Sequence, residues 1–300
     1  MFAKLSKATI LLCSLGVASI AIAQTPDCLD ESAALDYWRS IASVAESAEA
    51  NVLAEPLLQC LKSPNPELRD DIGYGLFSAW LRNAQLSVDR KQFLLQQLSA
   101  NLSPANRELS LQRSFSALII SELLRADAID TFMTTTQREQ LLQDSAQALR
   151  DEQDFRGFED ELGWVHPIAH LADVMWRFSL HPALSEEQAA LILTAVSSKV
   201  SATESFYHFN EGDRLARPVV ILLRRDALTS TAWLNWFAGY ATPKSVSTWS
   251  ETFGSSLGLT ELHNTKLFFR ALSDQLQGVD LDNAVREKLD ELVALFSELV

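Results

Sequence analysis

Apolar residues recur at spacings of three and four along most of this 300-residue chain, the period that lines one face of an α-helix. Helix breakers are scarce, with 10 glycines and 9 prolines, so the pattern runs through long stretches before it is interrupted. Stripes are readable over residues 35–48, 67–81, 91–102, 113–124, 138–149, 186–200, 215–228 and 281–300. The last is the cleanest, with Val285, Leu289, Leu292, Phe296 and Leu299 set among Arg286, Glu287, Lys288 and Glu298. Breaks are short and punctuated, as at Pro64 and Pro66, Pro104, Pro182, Pro243 and Gly278. The expectation is an all-α fold of short-linked helical pairs, an α-α superhelix of the HEAT or armadillo kind. No fixed period runs along the chain, so a closed α/α barrel stays open as the alternative.

The first residues read as a leader. Lys4 and Lys7 precede an apolar run over residues 8–20, and Ala21, Ile22 and Ala23 supply the small residues of a cleavage site before Gln24. The apolar run is shorter than the ~20 residues that span a bilayer, so no retained membrane anchor is expected. Residues 1–23 are therefore read as a signal peptide and 24–300 as one helical domain that works in the periplasm or outside the cell. Cleavage removes Cys13 and leaves Cys28 and Cys60, an even pair in an oxidising compartment, which points to a disulfide; two free thiols are the bland reading. The formal net charge of −14 and the lack of any run of lysines and arginines, apart from Arg224 and Arg225, argue against nucleic acid as a partner.

Residues 154–182 hold three of the five histidines. Pro167 suits the first turn of a helix, so a helix should start near His166 and run toward Leu180. On it His166, His170 and Asp173 share one face, because spacings of four and three stack side chains one above another. Two imidazoles and a carboxylate can supply three ligands to zinc or another divalent ion and leave a position for water. Such a water would make hydrolysis the natural chemistry, with Glu211 as candidate general base and Asp213 nearby. The same residues can equally form a hydrogen-bonded network around a helix start.

Several blocks together resemble the bacterial domain-of-unknown-function family 2785. They are residues 63–80, 113–124, the core FRGFEDELGWVHPIAHLAD and the later EGDRLARPV. The most specific element is an Arg-Gly followed by Gly-Trp-X-His-X-X-X-His-X-X-Asp, carried by Arg156, Gly157, Gly163, Trp164, His166, His170 and Asp173. The resemblance implies helical architecture and a common site but no reaction. One departure is the run Glu159, Asp160 and Glu161, more acidic than the resemblance suggests.

Arg156 and Arg214, each beside acidic residues, either clamp an anionic ligand or neutralise their neighbours. Arg69, in the first turn of a HEAT-like helix, is expected to tie adjacent repeats together. Ser114 and Ser116 lack the glycine elbow of a nucleophilic serine. Trp176 and Phe178 fit a core, whereas Trp164, just before the helix, is expected to line a cleft. Phosphate loops and the His-Glu-X-X-His motif are absent from the sequence. The reading is an exported helical-repeat protein with one polar site for a small molecule or a protein partner. That site is built from Arg156, Trp164, His166, His170, Asp173, Glu211 and Arg214. The alternative is a metal-dependent hydrolase in which His166, His170 and Asp173 are the ligands and Glu211 or Arg156 assists catalysis.

Overall fold

The structure, a computed structural model, describes residues 28, 31–42, 47–103 and 110–299; the leader read in residues 1–23 lies outside these. Among the described residues 72% are helical, and strand is confined to one tiny two-stranded sheet, so the class is all-α. The helices are α1 (Glu31–Ala42), α2 (Ser47–Leu57), α3 (Gly75–Arg82), α4 (Val88–Asn101), α5 (Ser110–Ile129), α6 (Thr135–Asp151), α7 (Pro167–Ser179), α8 (Glu186–Val200), α9 (Glu211–Arg224), α10 (Ser230–Ala238), α11 (Ser256–Gln275) and α12 (Asn283–Glu298). Leu58–Lys62 forms a 3₁₀ turn, and Glu67–Tyr74 is wound as π-helix directly into α3. β1 (Phe158–Glu159) and β2 (Gly163–Trp164) pair antiparallel, Phe158 facing Trp164.

Packing sorts these helices into two rows. In one row α3 packs on α5, α5 on α7, α7 on α9 and α9 on α11; in the other α2 packs on α4 and α6 on α8. Consecutive helices α4 and α5, α6 and α7, and α8 and α9 bridge the rows. This is the two-layer stack of an α-α superhelix. The closed barrel is not formed: among the described residues no extensive packing joins the helices before α4 to α11 or α12. One contiguous core of buried apolar side chains runs from Ala34 and Trp38 to Leu292 and Phe296. Burying these stripes offsets the entropy of ordering the chain.

Among the described residues six of the twelve helices start on a side-chain cap. Ser87, Thr134, Ser185, Thr229, Ser255 and Asp282 accept backbone N–H bonds as N-caps of α4, α6, α8, α10, α11 and α12. Thr134 with Gln137 and Ser185 with Gln188 complete capping boxes. The two helices that enter the polar site start differently. α7 begins at His166 with φ 47° and α9 at Asn210 with φ 67°, and neither side chain caps its helix. Two non-glycine residues in the left-handed region store strain on either side of one cleft. The His166 imidazole is thereby left for other contacts.

Cys28 and Cys60 are joined as a disulfide, their Cα atoms 5.0 Å apart. The sequence stripes miss α2, α10 and α11. Instead of one apolar stripe, Trp233, Trp236 and Phe237 of α10 interlock with Phe268 and Phe269 of α11.

Candidate functional site

Arg69 fixes the entry to the site. It is fully buried in the π-helical segment and donates from Nη1 to the Ser63 carbonyl (3.1 Å) and from Nη2 to the carbonyls of Leu162 (2.6 Å) and Trp164 (3.1 Å). Its guanidinium lies 4.7 Å from the Phe115 ring centre. This is the tying role the sequence suggested, directed to the hairpin rather than to a neighbouring helix pair. The acidic run Glu159, Asp160 and Glu161 forms the exposed hairpin turn. The hairpin pairing then extends, as Val165 N–H donates to Gly157 O (2.8 Å) and His166 N–H to Arg156 O (3.1 Å). Gly157 must lack a side chain, because a Cβ would stand inside the Phe209 ring.

Trp164, 42% exposed, therefore projects over a cleft of about 330 Å³ whose walls include Asp70, Phe115, His166, His170, Asn210 and Arg214. Its indole stacks on His166, centroids 5.0 Å apart at 22°, and Phe209 meets it edge-on at 5.8 Å. The volume suits a small ligand. A larger open groove of about 550 Å³ between α4 and α6 is lined by Gln92, Gln96, Gln137 and Gln140, far from these groups in the stack.

The two imidazoles lie side by side, ring centres 5.9 Å apart. His170 is fixed by Ser114 of α5, whose Oγ is 2.8 Å from His170 Nδ1. Ser114 also donates a short hydrogen bond to the Val165 carbonyl. A serine has one hydroxyl proton, so toward His170 it must accept. Nδ1 therefore carries the hydrogen, and Nε2, with no partner among the described residues, is a free acceptor on a ring that lines the cleft. Burial first, then the charges of His166 and Arg214, push the His170 pKa well below its ordinary value and keep it neutral.

His166 Nε2 stands 3.2 Å from Glu211 Oε1, out of line for a good hydrogen bond. Glu211, 2% exposed, also accepts from Phe209 N–H (2.8 Å). Burial works to raise its pKa, but contact with His166 and the Phe209 N–H outweigh it and hold the carboxyl below its ordinary value. Asp70, beside Arg69, is pushed up to about 6, by burial against the opposing pull of that arginine.

Trp164, His166, His170 and Arg214 thus meet at one cleft, with Glu211 and Asp173 directly behind it. The proposed ligand triad does not form. Asp173 turns to α9, where Arg214 makes a short ion pair with it and Arg217 lies 3.7 Å away. Among the described residues no group of three or more His, Cys, Asp or Glu is placed to hold a metal. Zinc needs donors converging at about 2.0–2.2 Å; here one histidine nitrogen is taken by Ser114, and two guanidinium groups occupy the carboxylate. The residues do not fit the ion. Arg156 stands apart from this cleft, in the neutralising role that is one of its two readings. Its backbone supports His166, but its side chain pairs with Asp154 (2.6 Å) and lines a separate cavity of about 440 Å³ beyond Phe209. Asp213 is exposed. Trp176, expected in the core, is only partly buried and lies against two arginines. Ser114, Phe115, Asp70 and Asn210 were not read from the sequence as cleft residues; the only trace of Ser114 is a small polar residue inside an apolar block.

A folded-state test of the neutral imidazole follows from linkage. Below its ordinary pKa of 6.5, His170 takes up a proton in the unfolded chain that the native state refuses. Stability should fall as pH drops from 6.5, by up to ~1.4 kcal/mol per unit. Asp70 acts with the opposite sign between its ordinary value of 3.8 and about 6, so the comparison is wild type against His170→Ala in urea titrations at pH 5 to 8. The wild-type slope should be the steeper below 6.5. Parallel curves would show that His170 protonates freely in the fold.

The architecture and this cleft define an all-α superhelical protein with a pre-formed pocket of small-molecule size. The chain belongs to the family described as protein of unknown function (DUF2785), whose model matches residues 98–273, more than half of the chain. That match runs from the last turn of α4 through most of α11 with every residue of the Arg-Gly and Trp-His-His-Asp signature, whereas Arg69 and Asp70 lie before it. No curated protein and no solved structure matches the chain.

Proposed function

We propose that this is an exported ligand-binding protein whose cleft between α5, α7 and α9 takes a small molecule with one flat or ring-shaped apolar face and hydrogen-bond donors on its rim. The observation that carries the reading is His170: buried, neutral, and locked by Ser114 so that an unpaired Nε2 lone pair lines the cleft. Trp164 offers the apolar face, and Asp70 and Asn210 add acceptors at the same opening. A ligand hydroxyl or N–H would satisfy Nε2, the one ring acceptor that Ser114 leaves unpaired at the cleft. Export is supported by the leader-like residues 1–23 and by the Cys28–Cys60 bridge, which persists in oxidising compartments. Hydrolysis through a metal finds no converging donor set to support it.

The test is a fluorescence titration of the full chain with monosaccharides and nucleosides, repeated on Trp164→Phe to isolate the signal of that indole. A saturable, Trp164-dependent change should weaken by roughly tenfold in His170→Ala, the worth of one hydrogen bond. Binding unaffected by His170→Ala, in a variant shown to be folded, would overturn the assignment.

A further inference from the structure

Five arginines far apart in sequence gather on one side of the cleft. Arg82 ends α3, Arg125 lies in α5, Arg177 is in the last turn of α7, and Arg214 and Arg217 are on α9. These helices are successive members of one row, so the superhelix brings together what no sequence run contains. Two buried carboxylates lie among them. Glu122 takes Arg82 through two hydrogen bonds, and Asp173 takes Arg214 and, at 3.7 Å, Arg217.

The charges do not balance. Among the described residues Arg125 and Arg177 make no ion pair and no hydrogen bond, and Arg177 Nε is buried without a partner. Trp176 supports this surplus from beneath: Arg177 lies 4.2 Å and Arg217 5.6 Å from its rings. Stacking on an indole orients a guanidinium while leaving its N–H fork available. Burial first, with Arg125 and Arg82 as like charges, lowers the pKa of Arg177 despite the nearby Glu122 and Asp173. Such crowding of cations, in a chain of net charge −14, disfavours the fold unless an anion relieves it.

We infer that Arg125, Arg177 and Arg217 form an oxyanion site for a phosphate- or sulfate-type group. Planar guanidinium forks match such oxygens in pairs. The site borders the cleft on two sides, since Arg214 lines the cleft itself and Arg82 Nη2 donates to the hydroxyl of Tyr74, another cleft residue, at 3.3 Å. The oxyanion is either free in solution or the charged end of a molecule whose ring sits against Trp164.

Thermal unfolding and calorimetry of the full chain with inorganic phosphate, sulfate and glucose 6-phosphate test this, with sodium chloride at matched ionic strength as reference. Phosphate should raise the melting temperature saturably, and its affinity should drop about tenfold or more in Arg177→Gln and in Arg125→Gln, consistent with loss of a charge-assisted hydrogen bond. Equal affinity for phosphate and glucose 6-phosphate assigns the site to the free ion. Tighter binding of glucose 6-phosphate, with the excess lost in Trp164→Phe, assigns it to the charged end of a cleft ligand. A stabilisation that does not exceed chloride, or that survives both arginine substitutions, overturns the site. His170→Ala should keep the phosphate response, so failure of the cleft reading and failure of this one are told apart.

Discussion

Replacing Arg69 by leucine should destabilise the fold by about 3 to 5 kcal/mol, the range for removing one member of a buried charge network. The guanidinium is fully buried and its loss leaves the carbonyls of Ser63, Leu162 and Trp164 without their donor. It also leaves Asp70, 2.7 Å away, partly buried and unpaired. For a chain of this size the midpoint of thermal unfolding should fall on the order of 10 °C. A second substitution separates these contributions: Asp70→Asn in the Arg69→Leu background should recover part of the loss, because it removes the stranded carboxylate. The Trp164 hairpin should also loosen and shift tryptophan emission toward that of solvated indole. A loss below about 1 kcal/mol would mean that water replaces the guanidinium at all three carbonyls.

Opening the Cys28–Cys60 bridge should lower stability by about 3 to 4 kcal/mol on the chain-entropy account, given its sequence separation of 32 residues. Both cysteines are buried, and the 3₁₀ turn that contains Cys60 leads straight into Ser63, the first acceptor of Arg69. The bridge therefore also steadies the approach to the cleft. Urea unfolding of the Cys28→Ser, Cys60→Ser double variant, compared with the oxidised parent, measures the difference. Equal midpoints with equal slopes would rule out a stabilising role.

Helix class was legible because the stripes are long and their starts carry chemical marks. α6 and α8 open on Thr134 with Gln137 and Ser185 with Gln188, and α12 keeps one clean apolar face. α11 escaped notice because it buries Glu261, Asn264 and Thr265, which hold loops rather than face water. Glu261 accepts from the N–H groups of Lys244 and Ser245, and Asn264 binds Tyr207 N–H and the carbonyls of Ala202 and Ser205. Polarity there does not mark the outside of the helix, so periodicity fails. α10 is short and aromatic on most sides, and offers no stripe to read.

The site was legible where it is local. His166 and His170 are one turn apart on one helix, and that proximity needs no tertiary knowledge. Glu211, expected at the site, stands against His166, whereas Ser114 was not read as a cleft residue and only the packing of α5 on α7 puts it beside His170. Asp173 shares the face as expected, yet arginines on α9 claim it, because an isolated buried carboxylate is too unfavourable to leave for an occasional ligand. The arginine cluster was illegible for the same reason, its members lying between positions 82 and 217.

The hydrogen-bond relay from His170 through Ser114 ends on the Val165 carbonyl, and a peptide oxygen can only accept. Its direction is therefore written in the main chain. No exchange of the residue at position 165, short of moving the backbone, reverses it. On the proposed ligand-binding reading, the cleft would discriminate between guests of identical shape: one bearing a hydroxyl where His170 waits would be admitted, and its ether or keto counterpart would meet lone pair against lone pair. Selectivity of this kind survives drift in surrounding side chains, so members of this family with differing cleft walls should share a preference for hydrogen-donating guests wherever the serine and the histidine remain.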